Sequence, residues 1–457
     1  LALLMGLMQP PRPATETDRV DAIDVAHSWH PFTQMQEHLN MLRLHIARGE
    51  GCWLYDTDGR RYLDGNASIW TNVHGHNDPE LNAALTEQLG QVAHSTMLGL
   101  SHPRGSELAE TLCRIAPDNL RRVYYSDNGS CAVEIALKLS FQYWQLTGQS
   151  EKTGVIALRH AYHGDTFGTM AVGDSGVFHE RFAPWCFPVD HIDTPTCDEA
   201  GGIVFAQDMQ SSLDQLDVLL ADKAARTACL ILEPWVQGAA GMRLQPKGYL
   251  KEVERRCRQH GIHLIVDEVF TGFGRVGPML VCQEEGVRPD FLCLAKGLTA
   301  GYLPLAATLT TEAVFEAFLG RFEEYKAMYH GHTFTGNPLA AAVALKSIEK
   351  LDTRFSSGAH AETLDAFNEA VQSYALGNAC FPTVRHRGLT AALDLPERPV
   401  EQRTGLKVSL AAREYGLIIR ALGDSLLVVP PLVISREQID FLFQNLTRAA
   451  TSVLNQN

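Results

Sequence analysis

Two residues at the ends of apolar runs carry groups that could react or hold charge. Asp267 closes the run in "IHLIVDEV", and Lys296 closes the one in "DFLCLAKGLTAG". A carboxylate at the C-terminal edge of a buried strand lies where ligands gather in open α/β sheets. A lysine in the same position is hard to hydrate, and desolvation lowers its pKa and favours condensation with a carbonyl. Each residue alone has an ordinary alternative, the acid as a cap and the lysine as a snorkelling side chain. A third site is "YSDNGSCAVEIALK", where Asn128, Gly129 and Ser130 open a helical pattern. Free N–H groups and the positive end of the dipole suit a phosphate there, although the same residues are common plain caps. "HAYHGDTFG" adds Tyr162, an aromatic able to stack on a flat ring or to pack in a core.

Read together, these sites describe a pocket for pyridoxal 5′-phosphate. The helix start would hold the phosphate, Lys296 would condense with the aldehyde, and Asp267 would keep the pyridine nitrogen protonated. A competing pattern is the G-x-G-x-x-G of Gly272, Gly274 and Gly277. A dinucleotide loop turns at once from strand to helix and cradles pyrophosphate. Here Asp267 and Glu268 occupy the strand end and would repel that anion, so the dinucleotide reading is set aside.

The elements that must position these groups follow from periodicity. "RRVYYS", "GVIALRH", "RTACLILEP", "IHLIVDEV", "DFLCLAK" and "PLAATLTT" are continuous apolar runs separated by helical stretches. Runs of this kind suit strands covered on both faces, hence an α/β fold with a mostly parallel sheet flanked by helices. Val133, Ala136, Leu137, Ser140, Phe141 and Trp144 fall at helical spacing as one buried stripe, with Glu134 and Lys138 as an i,i+4 pair. "GCWLYDTDGRRYLDG" reads as a hairpin around Asp58-Gly59. The expected division is a disordered or extraneous segment at 1–26, a large domain at 76–345, and a smaller α+β domain built from 27–75 and 346–457.

The net charge of −14 argues against a nucleic-acid partner. No apolar run approaches the roughly 20 residues of a membrane helix. The ten cysteines include no C-x-x-C pair, which points to free thiols in a reducing, cytoplasmic setting. His74-Gly75-His76 and His330-Gly331-His332 lack a helical partner or a nearby acid pair, so no metal ligands are assigned. Glu233 in "ILEPWVQG" ends a strand and is read as structural or supporting the pocket. "LALLMGLMQ" lacks a basic flank and a cleavage site, so no signal peptide is expected, and Met5 or Met8 is a candidate start.

Over roughly 27–450 the chain resembles the class III, pyridoxal-phosphate-dependent aminotransferases of fold type I. The resemblance rests on "HPFTQM", "YSDNGSCAVEIALK", "AYHGDTFG", "ILEPWVQGAAGM", "LIVDEVFTGFGRVG", "LAKGLTAGYLPL", "HGHTFTGNPLA" and "IIRALGDSLLVVPP". "FTQM", "HGDTFG" and the R-x-L-G-D segment are similar to the biotin-pathway branch, which makes 7,8-diaminononanoate from 8-amino-7-oxononanoate. The resemblance implies that Asn128, Gly129 and Ser130 hold the phosphate, Tyr162 stacks on the ring, Asp267 pairs with its nitrogen, and Lys296 is the catalytic base. It implies that Thr333 reaches the phosphate of a neighbouring subunit, hence a homodimer with shared sites. It also implies that Arg420 binds the oxononanoate carboxylate. Arg275 falls at the family's arginine after the acidic strand, and Gly331 and Asp165 fall in segments that face substrate.

Two positions bear on the amino donor. Branch members using S-adenosylmethionine resemble "HPYT" and "SSWW", whereas this chain has Phe32 and the pair Ile69-Trp70. A phenol and an indole are lost where the donor would sit. S-adenosylmethionine is the expected donor, with lysine as the alternative. A broader class III enzyme acting on other ω-amines or keto acids is the rival function, and a non-catalytic binding protein is a third reading that the presence of Lys296 disfavours.

Overall fold

Seven strands form the central sheet of the computed structural model, which describes residues 15–200 and 203–455. They are β1 (Leu120–Ser126), β2 (Gly154–Leu158), β3 (Asp190–Ile192), β4 (Thr227–Leu232), β5 (His263–Asp267), β6 (Phe291–Leu294) and β7 (Ala306–Thr311). Their order is β1-β7-β6-β5-β4-β2-β3. All pairings are parallel except those of β7, which runs antiparallel to both β6 and β1. The class III fold expectation is met by this mostly parallel sheet with flanking helices. Every residue of β4, β5 and β6 is buried, as continuous apolar runs require when both faces are covered.

Successive strand residues enter opposite cores. Val155, Ala157, Ile231 and Ile265 pack with helix α1 (Gly129–Leu146). Ile156, Leu158, Leu232 and Val266 join the larger core on the other face. That core also takes the inner face of helix α2 (Pro338–Ser356), whose first turn is capped by Asn337. Two details of α1 differ from expectation. Phe141 is exposed, at the edge of the buried stripe. Glu134 does not pair with Lys138; it accepts from Thr166 Oγ1 (2.5 Å) and Gly168 N (2.8 Å), while Lys138 Nζ lies 3.0 Å from His330 Nδ1. Two hydrogen bonds to a neighbouring loop outweigh one exposed ion pair.

The expected hairpin forms between Trp53–Asp56 and Arg61–Asp64, with Asp56 accepting from the N–H of Asp58 and Arg60 across the turn. Arg61–Asp64 also pairs in parallel with Leu417–Ile418, so the N-terminal hairpin and the C-terminal segment share a sheet. A second small sheet is ordered Thr383–His386, Ala391–Asp394, Ser425–Val428, Arg420–Leu422. Within the segment expected to lack structure, Glu16–His27 is a helix fixed by a reciprocal Thr15/Asp18 cap. The candidate starts Met5 and Met8 lie outside the described residues. No helix among the described residues is long and apolar enough to cross a membrane.

Candidate active site

Parallel strands bring their C-terminal ends to one edge, and a cavity of about 410 Å³ opens there. Asp267 ends β5 opposite Cys293 of β6, three residues before Lys296. The Lys296 backbone is left-handed (φ 46°), which turns the chain sharply off the strand. Part of its side chain faces the cavity, and Nζ lies 5.0 Å from the ring centroid of Trp70 and 5.5 Å from that of Phe270. Burial holds the ammonium below the usual lysine range, against the pull of Asp267 and Glu233. An amine so placed loses its proton more readily than one in water.

Asp267 is almost fully buried; Oδ1 accepts from Val269 N at 3.0 Å, and Oδ2 lies 2.7 Å from His163 Nδ1. Facing a carboxylate, that nitrogen carries the proton. Burial disfavours a charged His163, but the hydrogen bond and charge of Asp267 outweigh it and raise the imidazole's pKa. The other ring nitrogen, Nε2, is buried and has no partner among the described residues. Glu233, after β4, lines the same cavity and accepts from Tyr162 N at 3.0 Å and from Gly238 N at 3.4 Å. Burial pushes its carboxyl up to about 7, with the charge of Asp267 adding to the shift. Glu268, the second acid of "VDEV", turns away and caps Val281–Glu284, accepting from Val281 N and Cys282 N at 2.8 Å each.

The third site enters from β1. Asn128 caps α1, its side chain accepting from Cys131 N at 3.0 Å and its carbonyl from Ala132 N at 3.1 Å. The N–H groups of Gly129 and Ser130 have no partner among the described residues, and both residues line the cavity. A Cβ on Gly129 would lie 2.6 Å from Val269 Cγ1, so the helix start is pressed against the chain that carries Asp267. Free N–H donors at the start of an 18-residue helix, a buried carboxylate and a desolvated amine around one cavity fit the phosphate, ring nitrogen and aldehyde of pyridoxal 5′-phosphate.

Tyr162 also lines the cavity, and its hydroxyl donates to Asp165 Oδ2 at 2.8 Å. Asp165 Oδ1 lies 3.1 Å from His179 Nε2, and its N–H donates to Ser130 Oγ at 3.3 Å. Arg420 is half-buried, has no ion-pair partner among the described residues, and lies near enough for its charge to act on the Tyr162 phenol. Phe32 is exposed and packs edge-on against Phe178 beside His179, with ring centroids 5.9 Å apart. Trp70 lines the cavity, and its indole donates to Asn66 Oδ1 at 3.1 Å. Ile69 precedes it on the surface within a left-handed run, Ala67 to Trp70, where φ is positive at all four residues.

Several expected residues stand elsewhere. Arg275 is buried and away from the cavity lining; it donates to the carbonyls of Pro430 (2.6 Å), Asn72 (3.2 Å) and Leu389 (3.4 Å), and burial lowers its pKa to about 9. Gly331 and Thr333 are exposed and do not line the cavity of one chain. Their segment is held where Tyr124 donates to the His330 carbonyl and His332 Nδ1 lies 2.8 Å from Asp127 Oδ2. The glycine pattern forms turns rather than a helix start, with Phe273 N donating to Met279 O and Gly274 N to Pro278 O. His74 bonds Ser347 and His76 meets Asp64 at 2.9 Å, which accounts for both as loop packing. His163 was not singled out from the sequence; its neighbour Tyr162 was, and the "YHGD" motif held both.

A class-III aminotransferase family model matches residues 33–450. The adenosylmethionine-8-amino-7-oxononanoate aminotransferase of Geobacter sulfurreducens is 43% identical, over 96% of this chain and 99% of its own. Its counterpart from Staphylococcus aureus is 38% identical, over 96% and 99%. The crystal structure of the adenosylmethionine-8-amino-7-oxononanoate aminotransferase from Methanocaldococcus jannaschii superposes with a TM-score of 0.90 at 36% identity, covering 96% of this chain and 99% of that one. An amine transaminase from an uncultivated Pseudomonas species, solved in its PLP-bound form, gives 0.84 at 34% identity, covering 93% and 98%. With the match running through the strand ends, the helix start and the lysine described above, the chain belongs to the class-III aminotransferases.

Proposed function

We propose that this aminotransferase converts 8-amino-7-oxononanoate to 7,8-diaminononanoate, a step of biotin biosynthesis, with S-adenosylmethionine as amino donor and pyridoxal 5′-phosphate as cofactor. The observation that carries the reading is the convergence of Lys296, Asp267 and the free N–H groups of Gly129 and Ser130 on one cavity. The relatives named for this reaction, at 38% and 43% identity, support the substrate and donor.

When bound, the cofactor supplies an aldehyde that links to amines and a ring that accepts the electrons left by a departing Cα proton. The chain's own groups do the rest. Asn128, Gly129 and Ser130 hold the phosphate, and Tyr162 flanks the ring. Asp267 keeps the ring nitrogen protonated, and His163 fixes the orientation of that carboxylate through Nδ1. Lys296 would anchor the aldehyde and, once released, would hold and move the proton taken from the donor's Cα; its desolvation favours the uncharged amine that can accept that proton. Arg420 binds the oxononanoate carboxylate. Phe32, Ile69, Trp70 and Asp165 flank the donor, and Arg275 ties together the loops beneath the site.

The family resemblance implies that Thr333 reaches the phosphate of a second copy, in a homodimer with shared sites, and its exposed position outside one chain's cavity supports that reading. Residues 76–345 are assigned to the cofactor-binding domain, with 27–75 and 346–457 as the smaller one. The ten free cysteines suit a cytoplasmic location.

Half-reactions test the function. The purified enzyme is mixed with S-adenosylmethionine or lysine, and loss of the bound cofactor's visible band is followed. Bleaching by S-adenosylmethionine, reversed by 8-amino-7-oxononanoate, is expected. Bleaching by lysine alone would reassign the donor, and failure of 8-amino-7-oxononanoate to restore the band would overturn the substrate.

A further inference from the structure

The N-terminal segment brings two imidazoles and a carboxylate to one point, away from the cavity described above. Asp24 lies in the last turn of the helix Glu16–His27, His30 follows in the connecting loop, and His38 ends the short helix Met35–His38. His30 Nε2 is 3.0 Å from each oxygen of the Asp24 carboxylate, and His38 Nε2 is 3.6 Å from Oδ2. The three ligand atoms lie within 4.8 Å of one another, and the imidazole centroids are 4.3 Å apart. A cavity of about 160 Å³ opens beside them.

An ordinary His–Asp pair accounts for His30 but not for His38. The His38 Nε2 is buried, approaches the same carboxylate from beyond hydrogen-bond distance, and has no hydrogen-bond partner among the described residues. Tetrahedral zinc takes nitrogen and oxygen ligands at roughly 2.0–2.2 Å, which sets them roughly 3.3–3.6 Å apart. Of the observed imidazole–carboxylate separations, 3.6 Å matches the top of that range and 3.0 Å falls just below it.

Two arginines also line this cavity, Arg43 and Arg413. Arg43 is matched by Asp21, with both N–O distances at 2.6 Å, and also donates to the His38 carbonyl at 3.1 Å, which fixes the short helix. Arg413 donates to the Leu42 carbonyl at 3.0 Å. The Asp24 carboxylate is the anion left facing the two imidazoles.

We propose that Asp24, His30 and His38 bind one divalent cation of the zinc class, with a fourth position open to the cavity. The ion would clamp the helix Glu16–His27 to the segment that carries Phe32.

The test uses the holoenzyme, stripped with a chelator and dialysed against zinc alone. One zinc per chain is expected, together with a rise in thermal midpoint. Asp24→Asn and His38→Ala should each weaken binding by roughly tenfold or more. Cobalt offers a readout that needs no variant. The expected spectrum has the visible bands of a tetrahedral nitrogen–oxygen set and no thiolate charge-transfer band. The proposal is overturned by zinc uptake unchanged in the double variant, by no uptake in the parent, or by a cobalt spectrum with sulfur ligation.

Discussion

Glu233 shares its cavity with Asp267, Lys296 and His163, and burial raises its carboxyl from 4.5 to about 7. An acid raised in this way stays protonated in the folded chain over a range where the unfolded chain has ionised. Folding then takes up a proton, and stability falls as pH climbs from the unfolded value to the folded one, by on the order of 3 kcal/mol. Glu233→Gln keeps a neutral group of similar shape and removes that slope. Urea unfolding near pH 5 and pH 8 should show the variant gaining on the parent at the higher pH; an unchanged difference would mean that Glu233 ionises normally. Asp267 and Lys296 were legible in the sequence because a polar group at the end of an all-apolar run has few places to go. His163 was not, because a histidine on a loop carries no period and its partner lies 104 positions away. Arg275 was legible as an arginine but not as a tie between carbonyls of three segments distant in sequence, since no local pattern encodes such contacts.

At the scale of elements, the start of α1 works because its backbone approaches Val269 closely. Gly129→Ala would drive a Cβ to 2.6 Å from Val269 Cγ1 and tilt the two free N–H groups off the cavity. Cofactor affinity, read by equilibrium dialysis, should fall by roughly tenfold or more, on the order of a lost charge-assisted hydrogen bond or two. Val269→Ala in the same chain should restore part of it. A Gly129→Ala enzyme with full affinity would show that these N–H groups do not hold the phosphate. Strands β4 to β6 could be read from the sequence because both of their faces are buried. β3 and the hairpin of Thr196–Ala200 with Ile203–Asp208 could not, being short or exposed and without the period of a covered strand. The reversed direction of β7 was also hidden, since an apolar run does not record which way it points.

At the scale of the whole molecule, one chain holds an amine, a carboxylate and a helix start, but leaves Thr333 on its surface. If Thr333 serves a second copy, two damaged chains can complete one site. Lys296→Ala and Thr333→Val chains, co-expressed and purified as a mixed dimer through separate tags, should form one site with its own lysine and the other chain's threonine. Activity near half that of the parent is expected, above either variant alone; no gain on mixing would place Thr333 outside the shared site. The claim on which the account rests is that Lys296 is the amine joined to the cofactor. Borohydride reduction of the purified protein followed by peptide mass mapping tests it most directly. The account predicts a phosphopyridoxyl mass on the peptide containing Lys296 and its absence in Lys296→Ala. A label on a different lysine, or none on the parent protein, would contradict it.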